Sequence, residues 1–103
     1  MSQESVMSTL RKFRDARNWK QFHTPDALAK SIAIEAGELL ECFQWPGQDF
    51  CNDEALLELA DILTYAYFLA DRLGADPEDI ILRKLERTAK KYPVKATPRE
   101  DKE

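Results

Sequence analysis

Apolar residues recur along this chain at steps of three and four, and the two-residue alternation of a half-buried strand is nearly absent. Val6, Leu10 and Phe13 fall on one side of a helix predicted from Gln3 to about Arg17. The aromatic-rich stretch from Asn18 to His23 has no clear period and reads as a loop. Thr24-Pro25-Asp26 then reads as a helix start. The threonine caps, the proline stands where its missing N–H costs nothing, and the aspartate faces the positive end of the dipole. That second helix is predicted to reach about Phe43, before Trp45-Pro46-Gly47 breaks it. A third, capped by Asn52 or Asp53, carries Leu56, Leu59, Leu63, Ala66, Ala70 and Leu73 as a packing seam and stops at Gly74. Asp76-Pro77-Glu78 opens a fourth helix, which runs to Tyr92 and is ended by Pro93. Four helices with short connections predict an all-α four-helix bundle over residues 1–94, followed by a polar tail over 95–103.

Composition narrows the class without changing this picture. The chain has 103 residues, 44% of them hydrophobic and 33% charged, which suits one globular domain. A core of this size buries roughly 60–70% of the unfolded surface, so a helical face shared with a second copy is a ready source of extra stability. The net charge of −4 and the pI near 5.1 argue against a nucleic acid polymer or an anionic membrane as partner. No stretch approaches the ~18 apolar residues of a membrane span. The first residues, Met-Ser-Gln-Glu-Ser, lack the basic start and apolar run of a signal peptide, so the expected location is cytoplasmic. In that reducing compartment Cys42 and Cys51, which lack metal-type spacing, are expected to be free thiols.

The charge map carries the chemistry. Between Lys30 and Arg72 there is no basic residue, yet the stretch holds Glu35, Glu38, Glu41, Asp49, Asp53, Glu54, Glu58, Asp61 and Asp71. Asp49, Asp53 and Glu54 are accounted for as loop and helix-start residues. Glu35 and Glu38 lie three apart on the second helix, and Glu58 and Asp61 three apart on the third, so each pair shares a helical face. No lysine or arginine stands one turn from Glu58 or Asp61. A solvated acidic stripe is the plain alternative. Two pairs facing each other beside a core would repel strongly unless protonated or neutralised by a cation. An all-oxygen cage of this kind suits Mg²⁺, with Mn²⁺ as a substitute.

Two further patterns accompany the acids. Lys84, Arg87 and Lys91 form a basic stripe on the fourth helix, which is either a solvated face or a contact for outer phosphates. Trp19, Phe22, His23 and Trp45 gather in the loops on either side of the second helix, and Tyr65 follows Asp61 by one turn. Such rings either plug the ends of the core or stack on a base.

The pattern Glu35-x-x-Glu38 followed by Glu58-x-x-Asp61 resembles the signature of the MazG-like all-α nucleoside triphosphate pyrophosphohydrolases. Trp19-Lys20-Gln21-Phe22-His23, Phe43-Gln44-Trp45 and Lys91-Tyr92-Pro93 sharpen the likeness towards the dCTP pyrophosphatase-like subgroup, over about residues 6 to 94. The resemblance implies Mg²⁺-dependent cleavage of a nucleoside triphosphate to its monophosphate and pyrophosphate, by a homo-oligomer (dimer or tetramer) with sites between subunits. It assigns metal binding and catalysis to Glu35, Glu38, Glu58 and Asp61, base and sugar contacts to Trp19, His23, Trp45 and Tyr65, and phosphate contacts to Lys84 and Arg72. Thr88 departs from an asparagine common in the family, and Glu41 extends the acidic face without an assigned role. Within this resemblance a pyrimidine deoxynucleotide such as dCTP is the expected substrate. Two rivals stand beside this reading. One is a non-catalytic oligomeric helical module whose acidic face binds a basic partner. The other is a di-iron carboxylate bundle, which needs helical Glu-x-x-His ligands, whereas the only histidine here, His23, precedes the second helix.

Overall fold

The computed structural model describes residues 5–47 and 49–94. Four α-helices make up most of it: α1 (Val6–Ala16), α2 (Pro25–Glu41), α3 (Asn52–Arg72) and α4 (Pro77–Lys91), with a single 3₁₀ turn at Lys20–Phe22. No strand occurs among the described residues. The tail expected over 95–103 lies outside them, as do the first residues of the helix predicted from Gln3.

The helix ends follow from local chemistry. Ser5 caps α1, its hydroxyl accepting from the Ser8 N–H at 3.0 Å. Thr24 and Asp76 cap α2 and α4 in the same way, each followed by proline at the first helical position. At the end of α1, Asn18 takes a left-handed conformation (φ 57°). This lets the Asn18 and Trp19 N–H groups close onto the carbonyls of Asp15 and Arg14, both at 3.1 Å. Gly74 (φ 76°) ends α3 by the same motif, with Ala75 N–H reaching the Ala70 carbonyl at 2.8 Å. The start of α3 differs from expectation. Cys51 is the extended residue before the first turn and makes no side-chain cap, while Asn52 is already helical. Asp53 and Glu54 therefore act through the dipole of that turn rather than as caps.

Packing is concentrated in the antiparallel α2–α3 hairpin, where Leu28 is 1% exposed and Ala55 and Phe68 are also buried. α1 lies across the C-terminal half of α3 and contributes Met7 and the buried Arg14. α4 packs only sparsely: Leu82 and Leu85 on its apolar stripe are 62% and 54% exposed. The radius of gyration is 17.4 Å, against about 13 Å for a compact chain of this length. The hairpin is thus the rigid element that presents the carboxylates, and α4 offers an unburied apolar face. None of the helices among the described residues is long and apolar enough to cross a membrane.

Candidate functional site

The hairpin sets Glu35 and Glu38 of α2 opposite Glu58 of α3. One carboxylate oxygen from each lies within 4.8 Å of the other two. Glu35 and Glu58 are half-buried, Glu38 exposed. Glu58 Oε1 is buried with no hydrogen-bond partner among the described residues. Burial pushes the Glu58 carboxyl above its ordinary value, and the negative charges of Glu38, Asp61 and Glu41 add to the effect. Glu35 is raised in the same direction, again by burial first and then by Glu38, Asp61 and Glu58. Oxygen donors alone, mutually repelling, with one buried oxygen lacking a donor, fit a hard divalent cation.

Asp61, the fourth predicted acid, stands outside that triad but close enough for its charge to act on both Glu35 and Glu58. It lines a neighbouring cleft of about 400 Å³ together with Thr9, Leu10, Phe13, Trp19, His23, Thr64, Tyr65 and Phe68. The acidic cluster and the aromatic cleft therefore meet at Asp61. α3 supplies one wall of the cleft; α1 and the turn after it supply the other.

The aromatic wall is held by ring contacts. Trp19 meets Phe13 edge-on at 5.5 Å, and Arg17 lies over the opposite partner, 3.5 Å from the Phe13 centroid. His23 packs against Phe68 at 4.7 Å. Its Nδ1 is buried and unpartnered among the described residues. Burial, helped by the positive charge of Arg14, pulls the imidazole pKa below 6.5, so the ring is neutral at pH 7.

Of the other predicted site residues, Tyr65 and Trp19 reach the cleft, whereas Trp45 does not line it and is 64% exposed in the α2–α3 loop. Lys84 is exposed on α4. Arg72 is eleven residues beyond Asp61 on α3, about 16 Å along the helix, and its Nε donates to the His23 carbonyl at 3.1 Å. Glu41 borders a second, acidic cleft of about 610 Å³ with Glu38, Cys42, Glu54, Leu57 and Glu58. Cys42 and Cys51 are free thiols.

Sequence reasoning missed Thr9, Thr64 and Phe68 as cleft residues, and it missed Arg14. The side chain of Arg14 is 6% exposed and paired with Asp15 and Asp71, both at 2.8 Å. The only signal for it was indirect: Asp71, an acid with no lysine or arginine one turn away in either direction, needed a partner from elsewhere.

Comparison with known proteins places the chain in a family. The model of the MazG-like family matches residues 30–103. dCTP pyrophosphatase 1 of Bos taurus is 36% identical over 106 residues, covering 90% of this chain and 63% of that protein. The Homo sapiens protein of the same name is 34% identical over 100 residues, covering 88% of this chain and 59% of its own length. The chain thus spans roughly 60% of the curated relatives it matches. A crystal structure of a pyrophosphatase from Archaeoglobus fulgidus superposes with a TM-score of 0.75 at 37% identity, covering 90% of this chain and 98% of that one. By the extent of the family match and the identity to these relatives, the chain belongs to the MazG-like family.

Proposed function

We propose that this chain is a nucleoside triphosphate pyrophosphohydrolase, releasing pyrophosphate and a monophosphate from a pyrimidine deoxynucleotide such as dCTP, in the cytoplasm and as a homo-oligomer. The observation that carries the reading is the junction at Asp61, where a charge-frustrated carboxylate cluster opens onto a cleft walled by Trp19, His23 and Tyr65. A nucleotide has the matching polarity, anionic at one end and flat and aromatic at the other. The names of the bovine and human relatives, and of the archaeal pyrophosphatase, support the same activity.

In this reading Glu35, Glu38 and Glu58 hold Mg²⁺, or Mn²⁺ in its place, with Asp61 on the side facing the cleft. When bound, the ion neutralises triphosphate oxygens and lowers the pKa of a water molecule. The carboxylate left least engaged orients the attacking water and takes its proton. Trp19 and Tyr65 clamp the base between aromatic planes, while neutral His23 and the hydroxyls of Thr9 and Thr64 are the uncharged polar groups of the wall. Trp45, Lys84 and Arg72 belong neither to the carboxylate triad nor to the lining of the cleft at Asp61. Their base and phosphate contacts therefore belong to a site completed by a second copy, seated on the exposed stripe of α4.

The test is pyrophosphate release from a panel of NTPs and dNTPs with Mg²⁺, against an EDTA control. Turnover of a pyrimidine deoxynucleotide, lost with EDTA, is the expected result. No turnover of any member by metal-loaded protein overturns the reading and favours the non-catalytic module.

A further inference from the structure

The cleft has a back as well as a mouth. Behind the partition formed by His23 and Phe68 lies a smaller space of about 290 Å³, lined by those two residues and by Arg11, Arg14, Lys20, Asp71 and Arg72. Among them is Asp71, on the last turn of α3. Both of its oxygens are used. Oδ1 accepts from Arg11 Nε at 2.9 Å and Nη2 at 2.6 Å, and Oδ2 accepts from Arg14 Nη1 at 2.8 Å. The next residue, Arg72, holds the His23 carbonyl.

Two consecutive residues at the end of α3 thus grip two different parts of the aromatic wall. Arg11 and Arg14 lie on the same helix as Thr9, Leu10 and Phe13, which line the cleft. The Arg14 carbonyl accepts the Trp19 N–H at 3.1 Å, so the backbone that aims Trp19 is fixed by the residue Asp71 holds. The carboxylate triad stands farther along the same hairpin: Glu58 precedes Asp71 by thirteen residues on α3, about 20 Å along the helix. A carboxylate bridging two guanidinium groups, one of them buried, has charge-assisted bonds on both oxygens and little freedom to shift.

We propose that Asp71 is a positioning residue that sets the width of the aromatic cleft, and through it the hold on the nucleoside end of the substrate, without acting on the acidic cluster. The substrate half of this statement rests on the activity proposed above; the geometric half does not.

The experiment uses the full chain. With Trp45→Phe, Trp19 is the remaining one of the chain's two tryptophans, and its emission reports the cleft directly. Adding Asp71→Asn is expected to shift that emission to the red and raise its quenching by acrylamide while helicity is retained. Unchanged emission and quenching overturn the proposal. In otherwise native protein, Asp71→Asn should raise KM about tenfold, the effect of ~1.4 kcal/mol of lost binding. kcat and the affinity for Mn²⁺ should stay as they are, and Asp71→Glu should restore KM. A fall in kcat at unchanged KM overturns it. If the native protein turns over no nucleotide, the functional reading fails, and the Trp19 measurement still decides the positioning. Should Asp71→Asn not fold, Arg11→Gln removes only the exposed arginine and must shift KM and Trp19 quenching the same way by less; no shift overturns the proposal.

Discussion

Glu38 of α2 and Glu58 of α3 bring carboxylate oxygens within 4.8 Å of each other, and the Oε1 of Glu58 is buried with no donor to satisfy it among the described residues. Two like charges at this distance are held together only because the hairpin packs on either side of them. The arrangement stores repulsion that a cation would relieve.

Glu58→Gln removes one charge and keeps the shape. Pyrophosphate release is expected to fall by more than about a hundredfold, on the scale of losing a general base or metal ligand. Circular dichroism should show unchanged helicity, and the ion-free variant should melt above the ion-free native protein. An active variant takes Glu58 out of the mechanism.

The raised carboxyls of Glu35 and Glu58 give stability a definite pH dependence. Each ordinarily titrates at 4.5 and holds its proton to higher pH in the fold than in the unfolded chain. Ion-free protein should therefore lose stability as pH rises from about 4.5 through the elevated folded values. A bound divalent cation at a hundred times its Kd adds about 2.7 kcal/mol. Mg²⁺ or Mn²⁺ should raise Tm by roughly 10 °C at pH 7 and by less at pH 5, read by calorimetry with and without EDTA.

Asp71 behaves in the opposite sense. Although its partial burial works the other way, the bonds from Arg11 and Arg14 hold its carboxyl below the ordinary 3.8. Its contribution is complete above that value and is lost as pH falls through the lower folded one. In acid titrations Asp71→Asn should flatten the steepest part of the stability loss below about pH 4. At neutral pH the same variant should cost about 2 kcal/mol, because Arg14 is left buried with one partner fewer.

Trp19 stands edge-on to Phe13 and walls the cleft, outside the carboxylate triad. Trp19→Ala should raise KM roughly ten- to hundredfold, the range of one lost base–aromatic contact, with a smaller change in kcat. Equal losses in both constants would place Trp19 at the reacting end instead.

Leu82 and Leu85 are too exposed to be tolerated singly on a helix that packs so little within its own chain. Native protein should sediment as a dimer or larger, and Leu85→Glu should shift it towards monomer with loss of turnover. Monomeric native protein that remains fully active contradicts a site shared between copies.

The linear order of residues determined a great deal here. Helix starts at Thr24-Pro25 and Asp76-Pro77 and the stop at Gly74 are local chemistry, settled within four residues, and they appear in the fold where expected. The carboxylate pairing was legible because three-residue spacing fixes a helical face and because no lysine or arginine offered a nearby alternative partner. What the sequence left open was everything that depends on which element lies against which. Asp71 finds Arg11 and Arg14 about sixty positions away, a distance over which spacing carries no information. Asp61 sits at the border of cluster and cleft rather than inside the triad, although its three-residue spacing from Glu58 puts it on the same helical face. His23 becomes a neutral, unpartnered wall residue only once Phe68 covers its ring and Arg14 stands near. Helical periodicity and capping act through bonds between near neighbours, so a sequence displays them. Burial and long-range charge act through space, and only the packed chain decides them.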